Sequence, residues 1–116
     1  VAAKARTIGP LLAANFNRAY KAGVKIAFGT DTGVSPHGKN AREFELMVAA
    51  GMPAATAIQT ATRNAAEVLG MSADIGSLTA GHYADIVVVD GDPLVDITLL
   101  QHPLITYKDG VGYAPL

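Results

Sequence analysis

Residues 24–33 read Val24-Lys25-Ile26-Ala27-Phe28-Gly29-Thr30-Asp31-Thr32-Gly33. The apolar run from Val24 to Phe28 is short and bounded by glycines, which predicts a parallel strand buried on both faces. Gly29 and Thr30 end that run and leave the Asp31 carboxylate at its carboxyl edge, where α/β proteins place their chemistry. Asp31 is therefore a candidate functional residue, although an aspartate in this position also commonly caps a turn or the next helix.

The sequence before this strand predicts a helix. Apolar residues recur at helical spacing between Ile8 and Tyr20, and Pro10 is acceptable in a first turn, so we expect a helix over residues 10–22. Gly23 would end it. Helix, glycine and buried strand form an αβ unit, which predicts an α/β fold.

A loop and a second helix are expected to follow the strand. Residues 29–40 are rich in Gly, Thr, Ser, Pro and Asn and carry His37. Asn40 is expected to cap a helix that ends at Gly51, with Glu43 at the spacing of a capping box.

Two short helices should come next. Pro53 is well placed to begin the first, and the two are expected to separate near Thr62. The stretch from Asn64 to Glu67 repeats the capping pattern before a terminating Gly70.

From residue 75 onward the pattern changes to that of a β structure. Residues 75–78 lead into a turn at 79–82, and residues 84–89 form the most strand-like run in the chain. Two later runs, 104–107 and 111–113, flank Asp109-Gly110, which is a strong hairpin signal. The chain therefore divides into an α/β part over residues 1–74 and a β-rich part over residues 75–116.

Composition excludes several classes of function. The 116 residues are 50% hydrophobic with a net charge of −1, and Lys and Arg are scattered, so no nucleic-acid partner is expected. No apolar stretch approaches the ~20 residues of a membrane span, and the absence of cysteine excludes disulfides and thiolate metal sites. The chain opens on Val1 within helical sequence, which predicts a piece of a longer protein and leaves localisation unpredicted.

Asp31 is the residue best placed to bind a metal ion or to take a proton from a metal-bound water. A catalytic zinc needs about three protein ligands, and the imidazoles available are His37, His82 and His102. His82 and His102 lie far along the chain, so we expect surface roles for them, whereas His37 shares the Asp31 loop. Asp85 is expected to fix a turn by accepting backbone hydrogen bonds.

Four sequence blocks together resemble a known family. In chain order they are Gly23–Asp31, Glu45–Met52, Ala61–Ala66, and Gly76–Leu78 with Ala84–Pro93. They look like the carboxyl-terminal third of the metal-dependent amidohydrolases, nearest the imidazolonepropionase-like branch that includes Xaa-Pro dipeptidases and related carboxypeptidases. The resemblance covers nearly the whole chain.

This resemblance implies the carboxyl-terminal portion of a metal-dependent-hydrolase TIM barrel followed by strands of a small β-sandwich. Residues 1–74 would hold the last barrel strand and its following helices, and residues 75–116 would supply the sandwich strands. Asp31 would bind metal and shuttle a proton from the attacking water, while His37 and Asn40 would contact the substrate. The family's cofactor is one or two divalent ions, with zinc expected.

The sequence also departs from the family pattern. Residues 79–82 read Thr-Ala-Gly-His where the family often has Glu-Pro-Gly-Lys, and Asn64-Ala65 replaces a frequent Asn-Pro. The family's HxH pair, bridging carboxylated lysine and two later histidines would all precede Val1, so the chain alone is expected to be inactive. Its expected partners are a small-molecule or peptide substrate, the missing amino-terminal part of the barrel, and further copies in a homo-oligomer.

The function expected from the resemblance is hydrolysis of an amide or peptide C–N bond by metal-activated water, most nearly that of a dipeptidase or carboxypeptidase. Two alternatives stay open. One is a cyclic-amidase or deaminase-type member of the superfamily. The other is a non-catalytic assembly module that retains the same packing residues.

Overall fold

Helices occupy the first part of the chain and a small sheet the last part in the computed structural model, which describes residues 2–33 and 36–115. The helices are α1 (Ala2–Lys21), α2 (Arg42–Ala49), α3 (Ala54–Ala61) and α4 (Arg63–Val68). The strands are β1 (Ile86–Val88), β2 (Ile105–Lys108) and β3 (Val111–Tyr113), with a 3-10 helix at Ile97–Gln101. Val1, on which the expectation of a longer protein rested, lies outside the described residues.

The predicted first helix is confirmed, but its predicted start is wrong. α1 begins at Ala2, so Pro10 lies inside the helix rather than in its first turn. A proline there removes one backbone donor from the helix. The alanine, lysine and arginine residues that precede Pro10 are strong helix formers, so the helix continues on the amino-terminal side of the proline. The helix ends as expected just before Gly23, whose φ is 79°.

The capping box predicted at Asn40 and Glu43 is wrong. The residue that precedes α2 is Ala41, and no side chain caps the helix. Ala41 already has helical angles (φ −63°, ψ −13°), whereas a capping residue is usually extended. Asn40 contributes its backbone carbonyl instead, which accepts a hydrogen bond from the Glu43 N–H at 3.0 Å.

The two short helices are confirmed. α3 follows an extended Pro53, and the chain breaks at Thr62, whose angles (φ −120°, ψ −93°) are not helical. The second predicted cap is wrong, because α4 begins at Arg63 and Asn64 lies within it. The Asn64 side chain is thus free to bond outside its own helix.

The sheet is antiparallel, in the order β1-β2-β3. Its registers pair Ile86 with Tyr107, and Lys108 with Val111. The predicted hairpin at Asp109-Gly110 is confirmed, since both residues have the positive φ of a tight hairpin turn (51° and 79°). The β structure begins later than the sequence predicts. After α4 the chain forms turns at residues 72–74 and bends at residues 75–77, and the first strand starts at Ile86.

A small core joins the helices to residues 24–28. Its buried members are Met47, Met52 and Ala57. The partly buried side chains packed around them are Phe16, Tyr20, Ile26, Phe28, Phe44 and Val48. Because this group draws on α1, α2, α3 and residues 24–28, the core fixes that segment against the helices.

The helical and β-rich parts also touch. α2 packs against the 3-10 helix, where the Gln101 side-chain amide donates to the Glu45 carboxylate at 3.0 Å. Large apolar side chains nevertheless stay exposed, among them Val95 (86%) and Leu78 (83%). Across the part of the chain that the structure describes, no helix combines the length and apolarity that a membrane crossing needs.

Candidate functional site

The segment that leads to Asp31 pairs with no strand among the described residues. Residues 24–28, predicted as a parallel strand buried on both faces, form no ladder with any strand among the described residues, and Val24 and Ala27 are exposed, so the predicted burial is wrong while the pairing of this segment as a strand stays a prediction. A strand needs a neighbouring strand for its backbone bonds. The strands described here lie beyond residue 85 and pair with one another.

Helices α3 and α4 take the place of a neighbouring strand. The Phe28 N–H donates to the carbonyl oxygen of Thr60 at 2.9 Å. The Asn64 side-chain amide donates to the carbonyl oxygen of Ile26 at 2.8 Å. These two bonds attach the segment to the helices at alternate residues, as a strand ladder would.

Packing reinforces this attachment. The Phe28 ring stacks on Phe44 of α2 with centroids 4.7 Å apart. Thr60, which accepts the Phe28 bond, is fully buried, and its hydroxyl donates to the Ala57 carbonyl at 2.6 Å. The chain entering the candidate site is therefore held by three helices.

Asp31 lies three residues after Phe28, the last anchored residue of this segment, and is exposed. Its φ is 47°, in the left-handed region, which aspartate tolerates better than most residues other than glycine. The neighbouring hydroxyls of Thr30 and Thr32 lie 2.7 Å apart, and both residues are half-buried. A hydroxyl-to-hydroxyl hydrogen bond thus links the two residues that flank Asp31.

The other predicted site residues share the Asp31 loop. His37 and Asn40 are both exposed and lie in turns before α2. The predicted loop over residues 29–40 is confirmed for residues 29–33 and 36–40, while 34 and 35 lie outside the described residues. No hydrogen bond joins His37 or Asn40 to Asp31 in the described ranges, so their substrate contacts stay predictions.

The side chain of Asp31 is a carboxylate, which is a group that commonly binds metal ions in proteins. Over residues 2–33 and 36–115, no group of three His, Cys, Asp or Glu side chains could hold such an ion. His82 lies elsewhere, with its Nδ1 3.2 Å from the Ser77 hydroxyl. A carboxylate oxygen is a suitable ligand for zinc or a harder divalent ion. The described residues therefore do not form a metal site by themselves, and the metal-binding role of Asp31 stays a prediction.

Asp85 has the structural role that the sequence predicts. Its carboxylate accepts hydrogen bonds from the Lys108 ammonium at 2.6 Å and from the Asp109 N–H at 2.9 Å. The hydrogen bond from Lys108 has the largest effect in lowering the pKa of Asp85, and the bond from the Asp109 N–H adds to it. The same ion pair raises the pKa of Lys108. Asp85 therefore fixes the β2–β3 turn.

Two surface cavities lie away from Asp31. One of about 380 Å³ is formed by α4 and the loop at residues 72–77. The other, of about 270 Å³, lies between residues 25–27 and α4, beside the Asn64 hydrogen bond. Asp31 lines neither of them.

Sequence reasoning missed the residues that hold the site, namely Asn64, Thr60, Thr30 and Thr32. Asn64 was assigned to a cap because Asn64 and Glu67 have the spacing of a capping box, and its partner Ile26 lies 38 positions away. A usable signal was the asparagine within a short alanine-containing helical run, since asparagine is unfavourable inside a helix unless its side chain bonds elsewhere. The alternation of threonines around Asp31 was a second signal.

Comparisons with known proteins agree on one family. The model of the amidohydrolase family matches residues 8–111. Ochratoxinase of Aspergillus niger is 41% identical over 90 residues, which is 76% of this chain and 18% of that protein. A 5-methylthioadenosine/S-adenosylhomocysteine deaminase of Bacillus cereus is 36% identical over 89 residues, 66% of this chain and 20% of that protein.

A solved structure shares this arrangement of elements. A crystal structure of a Xaa-Pro dipeptidase with methionine bound in the active site superposes with a TM-score of 0.90 at 46% identity. The superposition covers 97% of this chain and 28% of the dipeptidase, so the chain spans well under a third of that relative. The match to the family model extends over most of the sequence, from α1 to β3. The chain belongs to the amidohydrolase family.

Proposed function

We propose that the protein containing this chain hydrolyses the C–N bond of a small peptide-like substrate, in the manner of a Xaa-Pro dipeptidase or a related carboxypeptidase. The observation that carries the proposal is the superposition on a Xaa-Pro dipeptidase over 97% of the chain, at 46% identity. Ochratoxinase and the deaminase are further hydrolytic relatives, which supports C–N bond hydrolysis as the shared reaction class.

The proposed architecture is that of the larger relatives. Residues 1–74 would be the carboxyl-terminal part of a (β/α)8 barrel, with residues 24–28 as its last strand, and residues 75–116 would belong to a composite β-sandwich. The unpaired backbone of residues 24–28 supports this, because neighbouring strands from other segments would supply hydrogen-bond partners for it. The exposed Leu78 and Val95 are surfaces that such segments, or a second copy in a homo-oligomer, would cover.

Asp31 is the proposed catalytic residue and metal ligand. Its carboxylate accepts a proton from the attacking water and returns it to the leaving nitrogen, so one group serves as base and then as acid. A divalent ion, for which zinc is the first candidate, supplies Lewis acidity toward the carbonyl and the water when bound. The remaining ligands would come from segments outside residues 1–116, and His37 and Asn40 would contact the substrate from the same loop.

Deamination is the second candidate, favoured by 36% identity to the Bacillus cereus deaminase over 66% of the chain. The two reactions share hydrolysis of a C–N bond and differ in the carbon that is attacked. The substrate therefore separates them.

The test uses the full-length protein in which this chain lies, with its metal bound. It compares the parent with Asp31→Asn and with Asp90→Asn, the same change at an exposed aspartate beyond β1. Asparagine also tolerates a positive φ, so Asp31→Asn removes the acid–base function and leaves the backbone intact. The substrates are Xaa-Pro dipeptides, N-capped dipeptides and 5′-methylthioadenosine.

We expect cleavage of an Xaa-Pro dipeptide, a loss in kcat of about a hundredfold or more in Asp31→Asn, and parental kcat in Asp90→Asn. Release of ammonia from the nucleoside without dipeptide cleavage would favour the deaminase alternative. No turnover of any substrate by the metal-loaded parent would favour the assembly module. An Asp31→Asn variant as active as the parent would remove Asp31 from the reaction.

A further inference from the structure

The two neighbours of Asp31 are joined to each other through their side chains. The hydroxyls of Thr30 and Thr32 lie 2.7 Å apart, so one donates to the other across the aspartate between them. Both threonines are half-buried, whereas Asp31 itself is exposed. The hydroxyl pair thus links the backbone on the two sides of Asp31 and is less exposed than the aspartate itself.

The backbone of Asp31 needs such a restraint. A φ of 47° is a sparsely populated conformation for a residue other than glycine, and it persists only where the surroundings impose it. On the amino-terminal side, the Phe28 N–H bond to Thr60 holds the chain three residues before Asp31. On the carboxyl-terminal side, the Thr32 hydroxyl holds the chain one residue after Asp31 through its hydrogen bond with Thr30.

We propose that Thr30 and Thr32 are positioning residues that hold the Asp31 carboxylate in the orientation its reaction requires. The inference rests on the proposed function of Asp31. Each hydroxyl is engaged by the other, so neither is assigned a direct part in the chemistry. Without the bond, Asp31 would have access to its more populated backbone conformations and the carboxylate would leave its reactive position.

The experiment uses the metal-loaded, full-length protein and the dipeptide that its parent cleaves fastest. The variants are Thr30→Val, Thr32→Val and the double variant, because valine keeps the branched shape and removes the hydroxyl. Thr30→Ser and Thr32→Ser keep the hydroxyl. Thr79→Val is the matched control, since the Ser77 and Thr79 hydroxyls form an equally spaced pair, 2.7 Å apart, in another loop.

Each valine variant should lower kcat about ten- to a hundredfold with KM nearly unchanged. The double variant should lose no more than the singles, because one bond is lost in every case. Serine variants and Thr79→Val should keep the parental kcat. Activity is measured with the metal in excess, and the Tm should match the parent in all variants, which separates positioning from a general loss of structure or metal.

Three results would overturn the inference. One is a parental kcat in both valine variants while Asp31→Asn is inactive. That result would refute the positioning role of the threonines and would leave the proposed function of Asp31 intact. Another is additive loss in the double variant, which shows two independent effects. The third is failure of the serine variants to retain activity although they fold and hold metal. An active Asp31→Asn would instead refute the proposed function itself.

Discussion

The side-chain amide of Asn64 donates a hydrogen bond to the backbone carbonyl oxygen of Ile26 at 2.8 Å, between residues 38 positions apart. This bond joins α4 to the extended segment that ends at Asp31. It lies beside the cavity of about 270 Å³ that separates the two elements. A residue with the pattern of a helix cap therefore serves as a tertiary attachment for the candidate site.

Asn64→Ala is expected to lower the free energy of unfolding by about 1–3 kcal/mol, because the part-buried Ile26 carbonyl loses its partner. Asn64→Asp should cost more, since a carboxylate would face the carbonyl oxygen. Urea unfolding followed by circular dichroism measures both. Asn40→Ala is the control and should stay within about 0.5 kcal/mol, since Asn40 is exposed and caps no helix. Equal losses at the two asparagines would contradict the role of Asn64.

Gly76 and Gly70 provide a matched pair for a second prediction. Both have a positive φ, 88° and 68°. A Cβ on Gly76 would lie 2.7 Å from the Ala66 Cβ and 2.9 Å from the Thr62 carbonyl oxygen, whereas a Cβ on Gly70 would meet nothing within 4 Å. Gly76→Ala should therefore cost about 1–3 kcal/mol more than Gly70→Ala, the excess being overpacking against α4. The midpoint of chemical denaturation measures it, and equal midpoints would show that the loop at residue 76 moves away from α4.

The Asp85 contacts predict a pH-dependent contribution to stability. Because the Lys108 ammonium and then the Asp109 N–H hold the pKa of Asp85 below its usual 3.8, the folded chain binds this proton less readily than the unfolded chain. The stabilisation is present above pH 3.8 and is lost as the pH falls through the lowered pKa. Asp85→Asn should thus have a lower Tm than the parent at pH 7, with the gap narrowing below pH 3.8.

Thermal unfolding between acid and neutral pH measures this gap, with Asp90→Asn as a control that should show none. On the alkaline side, Lys108 has a pKa raised above 10.5 by the same Asp85 contact. Its stabilisation is present below pH 10.5 and is lost as the pH rises through the raised pKa. A gap that stayed constant at every pH would mean that Asp85 acts by shape rather than by charge.

The 116-residue chain alone is expected to hold no zinc after dialysis and to cleave no dipeptide. The reason is that its described residues bring no three ligands together around Asp31, and a catalytic zinc site uses about three. Metal analysis of the dialysed chain and of the full-length protein makes the comparison. One equivalent of metal retained by the short chain, and lost in Asp31→Asn, would show that it assembles a site unaided.

Local patterns predicted much of this structure because the forces behind them act within a few residues. Helical spacing located α1, a proline followed by small residues located α3, and Asp109-Gly110 located the hairpin. Asp85 was correctly assigned to a turn, since a carboxylate near a tight turn finds backbone donors close by. The two capping boxes failed, because an Asx residue three positions before a glutamate is equally compatible with bonding through its backbone or to another element.

The sequence by itself determined the order of the helices, the final hairpin, the position of Asp31 after an apolar run, and the blocks that mark the family. Only the tertiary structure decided what holds that run: Thr60 and Asn64 on two helices rather than a neighbouring strand. It also decided the left-handed backbone conformation of Asp31. The physical reason is that an extended segment satisfies its backbone groups with whatever donors and acceptors folding brings beside it, and those lie more than thirty residues away in the chain.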